Sequence, residues 1–326
     1  MANSVADLDA ERPATAVADA TGFARLAWSV LGYTVFVVLF GAIVRITGSG
    51  AGCGQHWPTC QGDVFAVPHG MKMAIEYSHR ATSGVSVVCV VALVVAAFRR
   101  FPKGHDARRW AAVSLAAMCV EALIGAVLVR RGLVAHDASI ERAVVMSLHL
   151  VNTSLLTGSI TLAAFSATHG GRRFRPTCAL EWVLLGAVGL VLAVAVTGAV
   201  TALGDTLFPV DTARSLPSRL AADYSVLSNP LEKGRAIHPM FALLAAVFLL
   251  VLAQRTADIR PRPSVERGAR IVSSLVVLQA AIGVANIGFG APPAVQVLHL
   301  AVANAVWIAL VYFYATAMAG RRTAAT

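Results

Sequence analysis

The sequence predicts an all-α integral membrane protein whose eight transmembrane helices form two parallel four-helix-bundle repeats. Three observations carry that prediction: a composition suited to lipid, eight long apolar runs, and segments that recur in the second half of the chain. Of the 326 residues 57% are hydrophobic and only 13% charged, and the mean hydropathy is +0.70. Those values exclude an ordinary soluble domain.

The apolar runs cover approximately residues 24–46, 78–98, 110–130, 142–166, 178–201, 233–254, 270–290 and 294–317. Each holds roughly 20 residues, which at about 1.5 Å per residue crosses the roughly 30 Å of hydrocarbon in a bilayer. Strands of a membrane barrel would alternate apolar and polar side chains, whereas Val183–Val196 is apolar throughout, so the runs are helices. The segment 1–23 is polar, acidic and without the basic start and apolar centre of a cleavable signal, and reads as a disordered cytoplasmic tail. Residues 318–326 read as a second cytoplasmic tail.

Orientation follows from charge. The N-terminal segment through Arg25, the C-terminal tail and the loops at 99–109, 168–177 and 255–270 fall on one side and hold 17 of the 27 Lys and Arg residues. The positive-inside rule then puts both termini in the cytoplasm of a bacterial cell, with the chain in its inner membrane. The net charge of +10 is accounted for by inner-face clusters such as Arg99-Arg100 and Arg172-Arg173-Arg175 beside anionic lipid, and calls for no nucleic-acid partner.

The chain repeats itself. Gly41-Ala42-Ile43-Val44 matches Gly198-Ala199-Val200-Thr201, and Glu121-Ala122-Leu123-Ile124-Gly125 matches Gln279-Ala280-Ala281-Ile282-Gly283. His79 matches His238, and His149 matches His299. The halves are therefore residues 24–167 and 178–317. An even number of helices in each makes them parallel repeats about an axis along the membrane normal, with equivalent residues at equal depth. That depth is the outer third of the membrane for all four histidines. An ionisable side chain there is costly without a partner. One such residue would read as a hydrogen-bonded core histidine, but two matched pairs read as metal ligands. Neutral imidazole suits iron, and a His from each of two facing helices can approach a porphyrin from opposite sides, so each half can hold one haem. Tetrahedral zinc would need three or four converging ligands, and each half offers two. His56, His69, His105, His136 and His169 fall in loops and receive no assignment.

The first outer loop, Arg45–Cys60, is rich in glycine and carries Cys53 and Cys60 toward an oxidising compartment. A disulfide between them fits spacing and compartment, with two free thiols as the alternative. The spacing matches neither a C-x2-C zinc motif nor c-type haem attachment. Cys89, Cys119 and Cys178 lie in or at the ends of apolar helices and read as small hydrophobes. The loop leads into Ile75-Glu76-Tyr77-Ser78-His79-Arg80. Glu76, three residues before His79, shares its helix face. It reads either as a boundary residue paired with Lys72 or Arg80, or as an acid/base group at a haem edge. The second half has Arg235 at the corresponding place, so this carboxylate belongs to one half only, which favours function. Arg45, Arg80, Arg130 and Arg131 lie near the outer boundary, where haem propionates and simple snorkelling are equal readings.

The run GAIVRITGSGAGCGQHWPTC followed by IEYSHR resembles the haem A synthase family, and the two halves with matched histidines extend the resemblance over roughly 24–317. The resemblance implies oxidation of the C8 methyl group of haem O to a formyl group by two successive O2-dependent hydroxylations. It implies that His79 and His149 bind the substrate haem O, and that His238 and His299 bind a haem b cofactor, all four as axial iron ligands. It further implies that Glu76 is the catalytic carboxylate and Cys53–Cys60 a disulfide. Some relatives carry a second Cys pair after helix 5, but residues 202–232 contain no Cys, which rules out a second disulfide there. Expected partners are haem O and haem A, membrane lipid, a haem O synthase, an electron donor such as a quinol, and a second copy of the chain in a homo-oligomer. The rival readings are a di-haem b-type electron-transfer protein, which needs neither Glu76 nor the Cys-bearing loop, and a transporter. A transporter would show Gly/Pro-broken helices at the midplane, whereas the unusual residues here lie at one face.

Overall fold

The computed structural model describes residues 14–169, 176, 178–223, 225 and 228–319. Among these, nine helices follow in order: α1 (Ala14–Ile46), α2 (Met71–Arg100), α3 (Asp106–Arg130), α4 (Ile140–His169), α5 (Ala179–Leu207), α6 (Leu216–Asp223), α7 (Pro230–Ile259), α8 (Pro263–Gly288) and α9 (Pro293–Met318). All except α6 are long and apolar enough to span a membrane, which gives the eight expected crossings. Apart from an isolated bridge between Cys60 and Asp63, the described residues contain no strand. The protein is an all-α, multi-pass membrane protein.

The helices overrun the apolar runs. The first begins at Ala14, so residues 14–23, expected as part of a disordered tail, are helical, while residues 1–13 and 320–326 of the two expected tails lie outside the described residues. Hydropathy marks only the stretch that lipid covers, whereas a helix continues until the chain meets a cap or a breaker. Gly70 precedes α2, and Pro230, Pro263 and Pro293 open α7, α8 and α9, where a missing N–H costs nothing. Helix α7 has a full capping box: Asn229 Oδ1 accepts from the Leu231 N–H at 3.0 Å, and Glu232 Oε2 accepts from the Asn229 N–H at 2.7 Å. The short α6 sits in a loop whose hydropathy gave no sign of it.

Each half closes into a ring. In the first, α1 packs on α2, α2 on α3, α3 on α4 and α4 back on α1; in the second, α5, α7, α8 and α9 close in the same way, with α6 against α7. Each ring has its own core. Phe23, Ala27, Val90, Leu93, Ala107, Ala111, Leu156 and Ile160 fill the first, and Leu184, Leu249, Ala253, Val265, Val272 and Leu310 the second. The many alanines let helices approach closely, which matters in lipid, where packing rather than apolar burial drives association. Outward side chains such as Phe36, Leu123, Leu244 and Val284 are mostly exposed, as a lipid-facing surface requires. The rings meet along α1 and α4 on one side and α5 and α9 on the other, which are equivalent helices of the two repeats. Across that seam Trp307 Nε1 donates to the Ser154 carbonyl at 2.9 Å.

Candidate functional site

The four helices that carry the matched histidines all start at the same end of the bundles, the end that bears the 47–70 and 208–229 loops. His79 lies eight residues into α2, His149 nine into α4, His238 eight into α7 and His299 six into α9, which places each about 9–14 Å along its helix axis. Within each ring the two histidines come from opposite helices, α2 and α4 in the first and α7 and α9 in the second.

Glycines shape the niche behind three of these rings. A Cβ added at Gly41 would stand 3.2 Å from His79 Cε1, at Gly198 2.9 Å from His238 Cε1, and at Gly283 3.2 Å from His299 Cε1. Gly41 and Gly198 open one repeated segment and make room for imidazole in both halves, whereas of the pair that closes the other segment Gly283 does so and a Cβ at Gly125 would meet nothing within 4 Å. Phe40 packs edge-on against His79, ring centroids 5.6 Å apart. The Nδ1 atoms of His79, His149 and His299 are buried without a hydrogen-bond partner, while His238 Nδ1 lies 3.0 Å from the Thr197 hydroxyl. Buried polar atoms are nearly always satisfied, so unpartnered Nδ1 atoms at matched depth fit imidazoles that settle only around a bound guest. Two imidazoles on different helices of one ring suit a planar iron porphyrin. Among the described residues no three His, Cys, Asp or Glu converge to hold a metal ion, which leaves no zinc-type cluster.

Next to His79 the structure builds a clamp. Cys53 and Cys60 form a disulfide, and the loop lies so close to the start of α2 that a Cβ at Gly52 would fall 2.7 Å from backbone atoms of Lys72 and Met73. Glu76 is 3% exposed, with both carboxylate oxygens engaged. Oε2 accepts from the Cys53 N–H at 2.7 Å, and Oε1 from Arg80 Nη2 at 2.5 Å. Arg80 also donates to the carbonyls of His56 and Thr59, at 2.5 Å each. The pairing with Arg80 is the one the boundary reading named, but the carboxylate is interior.

Comparison with known proteins agrees with this architecture. Residues 24–311 match the family model described as cytochrome oxidase assembly protein. Heme A synthase of Bacillus licheniformis is 28% identical over 264 residues, covering 77% of this chain and 81% of that protein. Heme A synthase of Bacillus cereus is 25% identical over 289 residues, covering 85% and 88%. The chain belongs to the haem A synthase family of cytochrome oxidase assembly proteins. A protein of Thermus thermophilus named protoheme IX farnesyltransferase is 41% identical over 297 residues, 90% of this chain but 48% of that protein. The chain thus spans about half the length of that Thermus relative.

Within this family member the second half answers the clamp with opposite charge. Arg235, the counterpart of Glu76, is held by Asp205 and Asp223 at 2.8 Å each and donates to the carbonyls of Gly204, at 3.2 Å, and Phe208. Two more polar residues take roles that the sequence did not assign: Glu121 appeared only inside a repeated segment, and Arg45 only as a boundary residue open to propionate pairing or snorkelling. Glu121 stands 3.1 Å from His149 Nδ1, although the ring is turned off the hydrogen-bond direction. Arg45 leaves α1 and crosses the seam, donating to the Ala202 carbonyl at 2.5 Å, to the Thr206 hydroxyl, and to Gln296 Oε1 at 3.1 Å. Glu121 had a signal, since it and Gln279 open a repeated segment and differ in charge. Arg45 takes neither of its two readings here, since its partners lie across the seam in the second half. His105 caps α3, accepting from the Ala107 N–H at 3.1 Å, and His169 stacks on Phe165 at the end of α4, so both have structural roles.

Proposed function

We propose that the chain carries out the haem A synthase reaction, oxidising the C8 methyl group of haem O to a formyl group. The observation that carries this reading is the pair of matched imidazole niches, only one of which has a buried carboxylate one helical turn from its histidine. In this reading His79 and His149 hold the substrate haem O, and His238 and His299 hold a haem b cofactor. The bound iron supplies the O2 chemistry when present. In the balanced reaction one methyl group, two O2, four electrons and four protons give one formyl group and three water molecules, through a hydroxymethyl group and a geminal diol that loses water. A donor such as a quinol supplies the electrons.

The chain's own residues orient, exclude water and handle charge. The histidines fix the macrocycle between α2 and α4, so that its edge presents one substituent to a constant set of neighbours. The disulfide loop lies over the start of α2 and excludes water at that end. Glu76 takes up a proton or stabilises positive charge at the reacting carbon. Since both its oxygens are engaged by Cys53 and Arg80, it is delivered to that task by a shift of the loop or of the Arg80 side chain. The Lys and Arg distribution supports both termini in the cytoplasm of a bacterial cell and the histidines toward the outer face of its inner membrane. The Thermus relative's name and double length support a prenylating haem enzyme as the source of substrate, because a membrane-bound hydrophobic substrate is best passed directly.

The test is expression in a host that makes haem O but no haem A, followed by extraction and identification of haems by chromatography and mass. Haem A or its hydroxymethyl precursor is expected with the natural chain, and with Glu76→Gln it is absent or stalls at the precursor. Haem A at the natural level from Glu76→Gln removes the catalytic role of Glu76. Unmodified haem b alone, with no haem A in the membranes, moves the reading to a di-haem electron carrier.

A further inference from the structure

Glu121 places a carboxylate inside the first bundle, its side chain 18% exposed, where an unpaired charge would be costly. Its neighbours are arranged around it. Asn152 Nδ2 donates to Oε2 at 2.5 Å, the Thr153 hydroxyl donates to Oε1, and His149 Nδ1 stands 3.1 Å from the same Oε1. Asn152 and Thr153 follow His149 by three and four residues, so one face of α4 presents all three groups to α3. Thr153 is tied back to the His149 carbonyl at 2.8 Å, and Asn152 donates to the Ala117 carbonyl at 2.9 Å, which holds both in place.

The second bundle lacks this arrangement. The spacing that takes Glu121 to its counterpart gives Gln279, and the spacing that takes His149 to His299 takes Asn152 and Thr153 to Val302 and Ala303. Gln279 Nε2 lies 3.3 Å from His299 Nε2, and its Oε1 is without a partner. One bundle therefore places a built carboxylate 3.1 Å from Nδ1 of its α4 histidine, which a rotation of the ring brings into hydrogen-bond line, while the other offers its α9 histidine a neutral amide on Nε2.

We propose that Glu121 is the positioning residue of His149: it accepts the Nδ1 proton of the ring, turns Nε2 toward a bound porphyrin iron, and makes this imidazole a stronger donor than His299. The inference rests on the haem-binding reading above. A partner of this kind fixes the tautomer and orientation of a ligating imidazole and raises its basicity. Its negative charge favours the ferric over the ferrous state, so the first site is the lower in reduction potential of the two. Two sites with the same ligand type thus differ because of what stands behind one ligand.

The test uses the full chain purified in detergent with the second site removed by His238→Ala and His299→Ala, and haem b as the probe. Absorbance titration gives its affinity and a redox titration its midpoint potential. Glu121→Gln is expected to weaken binding about 10- to 100-fold and to raise the midpoint potential. Glu121→Asp should recover part of both changes. The isosteric Gln keeps the size of the side chain, and an unchanged midpoint of thermal unfolding shows that the variant keeps its fold. The reciprocal change Gln279→Glu, made with His79→Ala and His149→Ala, should lower the potential of the second site, a shift that a merely structural role would not produce. Unchanged affinity and potential in Glu121→Gln overturn the inference alone. A first site that takes up no haem in the parent protein overturns it together with the reading on which it rests.

Discussion

The same place in the two halves holds Glu76 in one and Arg235 in the other, and both do the same mechanical work with opposite charge. Each lies one turn before a site histidine with little of its side chain exposed, and grips the loop that precedes its helix. Glu76 does so by accepting from Cys53 and Arg80, and Arg235 by donating to Asp205, Asp223 and the end of α5. The first loop is also closed covalently, whereas the second relies on ion pairs and on the short helix α6, whose last residue is Asp223. The two halves thus share the clamp but not its chemistry, with a carboxylate near one site and a guanidinium near the other.

The comparison can be broken most severely at Arg235. Arg235→Met leaves two buried carboxylates without their partner and should cost about 3–5 kcal/mol, read as a lower midpoint of thermal unfolding in detergent. An unchanged midpoint would mean that charge does not hold the second loop. Removal of the disulfide by Cys53→Ser with Cys60→Ser should cost about 2 kcal/mol by the same measurement, because the bridge closes a short loop, and it should leave the second half untouched. If the cost is as large as that of Arg235→Met, the two loops are not independent. Asp223→Asn, which keeps the shape and leaves Asp205 in place, should cost only about 1 kcal/mol. A larger loss would identify α6, rather than Arg235, as the element that carries the second loop.

Legibility from sequence was uneven for physical reasons. The eight crossings could be read because a bilayer imposes a length and an apolar character on each helix. Their ends could not, since α1 extends back to Ala14 through residues that lipid does not select. The histidines were visible because they are costly at their depth and occur in matched pairs. The disulfide was readable from two cysteines in one short loop, with its alternative left open. Burial of Glu76 was not readable, because its second partner is the backbone N–H of Cys53, and a backbone group carries no mark in the sequence. Glu121 was visible only as one letter that differs inside a repeat; its meaning depends on Asn152 and Thr153, which α4 brings to it from some thirty positions away. Arg45 was ambiguous because a guanidinium near a boundary has many acceptable partners, and only the packed seam shows which it takes.

Arg45 also bears on how the two halves fit each other. It donates to the carbonyl of Ala202, which is its own counterpart in the second repeat, so this contact lies at the axis that relates the halves. A pair of first halves would set two guanidinium groups against each other there, and a pair of second halves would have none. The mixed pair avoids that repulsion and keeps the contact, so at this point of the seam the two halves are complementary rather than interchangeable.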